Sequence, residues 1–182
     1  MASNQARLTS GPVGNHLVKM TVPVFFGVFA MMLQGFVDAF FIGMVGDREL
    51  AALSFAFPIL MIVTSVAIGL GAGTSSVVAR AIGANKVERA ARLATDSLLL
   101  SFLITAAFCF VGILSIDFLF TALGAPSDMI PLIKEYMQVL YIGVPFVVVG
   151  MVGMSSMRAT GDTRLPSLLM IIASIANIIL NF

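Results

Sequence analysis

The sequence predicts an all-α integral membrane protein of five transmembrane helices, and three observations carry that reading. The chain is 59% hydrophobic with a mean hydropathy of +1.07, and only 10% of its residues are charged, against about 25% in a soluble domain. Its few charges are grouped between long apolar runs. Those runs are too long and too uniformly aliphatic for barrel strands, which alternate in polarity over about 10 residues. A net charge of +1 gives no footprint for nucleic acid. The single cysteine, Cys109, rules out a disulfide framework within the chain. Residues 1–16 are polar, and the apolar run after them is too long for the core of a cleavable signal.

Taken in order, residues 1–20 read as a cytoplasmic lead-in, with His16 a solvated interfacial side chain. The first helix is expected over 21–45, long enough at 1.5 Å per residue to cross a hydrocarbon core of about 30 Å with some tilt. The second is expected over 50–80, after Gly46 as a stop and Asp47 as a candidate N-cap. Gly83 is read as its end, and Asn85 with Glu88 has capping-box spacing for a third helix over 86–116. Pro126, Ser127 and Asp128 lead into a fourth over 131–157. Gly161 and Asp162, with Pro166 in the first turn, start a fifth over 165–182. That run is still apolar at Phe182, which reads as a cut inside the fifth helix; a complete five-helix chain is the alternative.

Lysines and arginines set the orientation. Arg7 and Lys19 precede the first helix. Arg80, Lys86, Arg89 and Arg92 surround the second connection, and Arg158 and Arg164 the fourth. The other two connections hold only Arg48 and Lys134, each among acidic residues. The positive-inside rule therefore places the N-terminus in the cytoplasm of a multi-pass protein. The plasma (inner) membrane is the expected location.

The residue that organises the search is Asp38, a carboxylate well inside the first apolar run. A charge near a membrane helix centre costs about 2.5–3.5 kcal/mol on insertion scales. Gln34, four residues earlier, shares its face, and Gly35 and Gly43 flank that face. On the fifth segment, Ser174, Asn177 and Asn181 fall at i, i+3 and i+7. Counted from the cytoplasmic ends, Asp38 lies about 25 Å along its helix, and Asn177 and Asn181 about 17 and 23 Å along theirs. Asp38, Gln34, Asn177 and Asn181 form a candidate cation or proton site, with Na⁺ held between Asp38 and Asn177 as one form. Hydrogen bonding between helices alone is the plainer alternative. Gly69, Gly71 and Gly73 lack the lysine of a phosphate loop and read as packing or bending positions. Pro23, Pro58 and Pro145 interrupt backbone bonding within helices. Asp96 is placed to pair with Arg92. Twelve methionines suit an adaptable cavity but also serve as filler. No catalytic constellation is present, so an enzyme is not expected, nor is a cofactor beyond a coupling ion.

Four stretches taken together, QGFVDAFFIGMVGDRELAALS, GLGAGTSSVVARAIGANKVERA, MRATGDTRLP and NIILN, resemble the first half of transporters of the multidrug and toxic compound extrusion (MATE) family. The resemblance implies five of the six helices of one bundle in a twelve-helix transporter, with the other half missing. It implies antiport of small organic, often cationic, substrates against Na⁺ or H⁺. By position Asp38 matches the family's first-helix acid and Asn177 its fifth-helix asparagine. Asn181 stands where many members carry a second Asp, leaving one carboxylate here. The chain alone is expected to be inactive. A lipid-linked saccharide flippase and a non-transporting membrane subunit are the alternatives.

Overall fold

A computed structural model describes residues 13–180, and among these every regular element is a helix. In chain order they are α1 (Val13–Val45), α2 (Asp47–Gly83), α3 (Val87–Ala122), α4 (Ile130–Ala159) and α5 (Arg164–Leu180). The first four are long and apolar enough to cross a membrane, and α5 is a shorter apolar helix. At 17 residues, α5 spans about 25 Å.

Helices α2, α3 and α4 form the packed centre, while α1 packs mainly on α5 and more lightly on α2. The centre is built from stripes at helical spacing. Ala52, Ala56, Ile59, Val63 and Ala67 of α2 meet Ile133, Met137, Tyr141, Val148 and Val152 of α4, with Ile116 and Phe120 of α3 closing the cluster. Small residues on α2 against larger ones on α4 let the helices approach without a hydrophobic force between them. On α1 only Gly27 is buried among the described residues.

The two ends of the bundle differ. At one, Arg48 pairs with Asp128 and Lys134 with Asp117, both at 2.6 Å. At the other, Val78 and Ala81 of α2 cluster with Ala90 of α3 and Ala159 of α4. The helices therefore alternate in direction, and α1 and α5 run parallel.

Chain breaks use backbone chemistry more than the side-chain caps expected from the sequence. Gly46, not Asp47, occupies the N-cap of α2, without a side-chain cap bond. Asn85 does not cap α3, where Lys86 holds the N-cap position, again with no side-chain bond. Instead Asn85 adopts φ 59° and closes α2. Lys86 N donates to Ala81 O and Asn85 N to Ile82 O, each at 2.9 Å, the paired bonds of a Schellman turn. Asparagine tolerates this left-handed geometry, so α2 ends at Gly83 as expected, and Asn85, two residues on, makes the closing turn. Gly124 (φ 80°) closes α3 the same way, and Gly161 (φ 84°) follows α4. Asp162 does cap α5, its Oδ1 accepting from Arg164 N and Leu165 N at 3.0 and 3.3 Å. Helix α1 begins at Val13, inside the stretch read as a lead-in, and α3 runs to Ala122. Asp96 and Arg92 form no ion pair among the described residues.

Candidate functional site

The seam between α1 and α5 is fixed by a close approach. A Cβ on Gly27 would lie 3.3 Å from Met170 Sδ and 3.4 Å from Ser167 Cα, so even a methyl here would touch α5 and a larger side chain would hold the two helices apart. Because the helices are parallel, equal steps along both stay level. Seven residues on, about 10 Å higher, Gln34 is level with Ser174. Four further, Asp38 is level with Ile178, with Asn177 beside it. At 100° per residue, Gln34 and Asp38 each fall within about 20° of the Gly27 direction, as Ser174 does of the Ser167 direction. The polar stripes thus lie along the seam.

Gln34, Asp38 and Asn177 are half-buried, and Ser174 is buried. Neither Asp38 nor Asn177 is without a partner. Asn181 lies outside the described residues. Tyr136 of α4 is within electrostatic reach of the Asp38 carboxylate, although α1 and α4 share no backbone packing. Sequence reasoning missed this phenol. Its signal was faint: Tyr136 is one of two tyrosines in the chain, at the polar start of an apolar run, and nothing in that run says which way it turns.

The hydroxyls divide into two groups. Buried Thr74, Ser101, Thr105, Ser155 and Ser167 donate to a carbonyl three or four residues earlier in the chain. Ser174 Oγ, in contrast, is buried with no hydrogen-bond partner. Among the described residues no three His, Cys, Asp or Glu side chains gather as a metal-ligand group. The seam therefore offers one carboxylate and several neutral oxygens. Such a set suits a monovalent cation or a proton better than a transition metal, which favours imidazole and thiolate donors.

The packing and bending positions separate on inspection. A Cβ on Gly71 would lie 2.7 Å from Ser155 Oγ of α4, whereas Gly69 and Gly73 face open space. Gly71 alone of the three is a contact. Gly35 has nothing within 4 Å, and Gly43 meets only Leu50 Cδ2 at 3.9 Å, so neither admits a backbone. An unlooked-for contact is Gly112, where a Cβ would lie 2.6 Å from Tyr141 Cζ. Pro58 is exposed and Pro145 buried, and α2 and α4 continue through them.

A family model described as MatE matches residues 23–182. The chain belongs to the MatE family. Within that family it is 41% identical over 174 residues to a Shewanella oneidensis protein named FAD transporter, covering 96% of this chain and 38% of that one. It is 29% identical over 136 residues to the probable multidrug resistance protein YoeA of Bacillus subtilis, covering 74% and 29%. The solved structure of the Vibrio cholerae MATE transporter VcmN in the bent form matches with a TM-score of 0.88 at 35% identity, over 91% of this chain and 38% of that one. The chain thus spans about two-fifths or less of the length of these relatives. MatE proteins are transporters rather than enzymes, and this one is a multi-pass membrane protein.

Proposed function

We propose that this MatE segment supplies the ion-coupling helix pair of a secondary active exporter of small organic molecules. Asp38 is the group that takes up Na⁺ or H⁺, with Asn177 and Gln34 beside it; Asn181, outside the described residues, is assigned to the same group by its spacing in the sequence. The observation that carries the reading is a carboxylate in a membrane-spanning helix set against a polar stripe on the neighbouring parallel helix. An acid inside a membrane-spanning helix is a functional group by default. Ion uptake shifts the equilibrium between inward-open and outward-open states only through a difference in affinity for the two. The partners are the bilayer, the substrate and the remaining length that relatives possess. The expected location is a bacterial inner membrane with a cytoplasmic N-terminus, on the strength of the lysine and arginine distribution.

The substrate has two readings. Cationic drugs follow from the multidrug relatives. A flavin nucleotide is favoured by the 41% identity to a protein named FAD transporter, against 29% to YoeA. Proteoliposomes holding a chain of the relatives' length, with this segment in place, separate them. Na⁺- or H⁺-driven movement of FAD or of a cationic dye identifies the class. Asp38→Asn should abolish the dependence on the ion gradient, and gradient-driven export that survives it would sink the coupling role.

A further inference from the structure

Ser174 is 2% exposed, and its oxygen lacks any hydrogen-bond partner. Serines inside membrane helices have an easy solution, donation to the carbonyl one turn back, and Ser155 and Ser167 take it. A buried hydroxyl left unpaired calls for an explanation. Its place supplies one. It lies on the α5 face turned to α1, level with the half-buried amide of Gln34 and about 6 Å, one turn, below Asp38.

We propose that Ser174 is an oxygen ligand for Na⁺ at the Asp38 site, acting with the Gln34 and Asn177 amide oxygens, and that it decides the choice of Na⁺ over H⁺. The proposal rests on Asp38 as the coupling group. A proton needs only the carboxylate. Neutral hydroxyl and amide oxygens do not take up a proton near neutral pH, yet their lone pairs replace the water around a desolvated cation. A hydroxyl rotates freely, so Ser174 can turn its lone pairs to the ion. The site has one carboxylate, so a bound Na⁺ forms a neutral pair with it, and the neutral oxygens complete the shell without adding charge. This also gives a role to the amides: a second acid would bring an uncompensated charge, whereas Asn177 brings an oxygen.

The test uses the chain's own probe. It contains two tyrosines and no tryptophan, so Tyr141→Phe leaves Tyr136, which lies within electrostatic reach of Asp38, as the only tyrosine emitter. In lipid nanodiscs, Na⁺ replaces choline at constant ionic strength while Tyr136 emission is followed, and a separate titration varies pH. The Tyr141→Phe background should respond to both Na⁺ and pH. Adding Ser174→Ala should weaken apparent Na⁺ affinity by about tenfold or more, a typical loss for a metal-site partner, and leave the pH response in place. Ser174→Thr, which keeps the oxygen, should stay close to the parent. Circular dichroism checks that each variant keeps its helices. An unchanged Na⁺ response in Ser174→Ala, or a parent that answers pH but not Na⁺, overturns the Ser174 proposal and leaves the coupling role of Asp38 standing. Asp38→Asn should lose both responses. If it keeps both, or if the parent shows neither, the coupling reading itself fails.

Discussion

Replacing Gly71 by Ala is expected to loosen the α2–α4 contact, and its neighbours provide the control. The added Cβ would lie 2.7 Å from Ser155 Oγ and 3.3 Å from Ser155 Cβ, inside van der Waals range. The hydroxyl cannot simply swing aside. It donates to Met151 O at 3.0 Å and accepts from Arg158 Nη2 at 2.7 Å, bonds worth about 0.5–1.5 kcal/mol for the neutral one and about 1.5–3 kcal/mol for the one from the guanidinium. Overpacking of this size costs about 1–3 kcal/mol. Opposing it, Ala is a better helix former than Gly by about 1 kcal/mol. Gly69→Ala and Gly73→Ala gain that propensity with nothing within 4 Å of the new methyl. Propensity cancels in the comparison, so Gly71→Ala should fall below both controls by the packing term, about 1–3 kcal/mol. Reversible unfolding in mixed micelles, followed by circular dichroism, measures the difference. Ser155→Gly should recover most of it in a double-mutant cycle, which isolates the pair. Equal stability of the three alanine variants would refute the close approach of α2 and α4 at Gly71.

Other consequences are open to the same measurements. Gly112→Ala should destabilise by about 1–3 kcal/mol, because its methyl would press on the Tyr141 ring. Gly124→Ala should lower stability by about 1–2 kcal/mol through its positive φ, while Asn85→Gly should be neutral or mildly stabilising; thermal unfolding reports both. Asp128→Asn should change stability by less than about 1 kcal/mol, since its pair with Arg48 is exposed. A loss well above that would show that the pair holds the α3–α4 connection in place.

Gly69, Gly71 and Gly73 show where sequence reasoning stops. All three are small residues on one helix, yet the 100° step of the helix points only one of them at α4. In a helix that is apolar all round, composition carries no information about which face meets a neighbour. The same limit hid Tyr136, whose reach to Asp38 depends on how α4 is rotated against α1. Where polarity does mark a face the reading was sharper. Gln34 with Asp38, and Ser174 with Asn177, stand out against aliphatic neighbours, but counting the rise from the expected helix starts left Asn177 about 8 Å short of Asp38, and the register comes from the Gly27–Ser167 approach. Apart from the start of α1, eight residues earlier than expected, and the end of α3, six residues later, helix ends were legible to within a few residues, because Gly, Asn and Asp break apolar runs. Which of them turns left-handed was not, since Asn85 and Gly83 are both suited to ending a helix. The backbone bonds from Lys86 and Asn85 decide it. The two ion pairs at the other end join residues 80 and 17 positions apart, a relation no local pattern reveals.

The central claim is that α1 and α5 lie parallel with their polar stripes facing, Gln34 level with Ser174 and Asp38 just above. Thiol cross-linking tests it directly. Cys109 is the only native cysteine, so a Cys109→Ala chain carries no competing thiol. Gln34→Cys is then combined in turn with Ser167→Cys, Ser174→Cys and Leu180→Cys, and each pair is exposed to a short bifunctional reagent in the membrane. The account predicts linkage at Ser174, with little at Ser167, about 10 Å lower, or at Leu180, about 9 Å higher. Linkage strongest at Ser167 or Leu180 would contradict the register that places Asp38 against the polar face of α5.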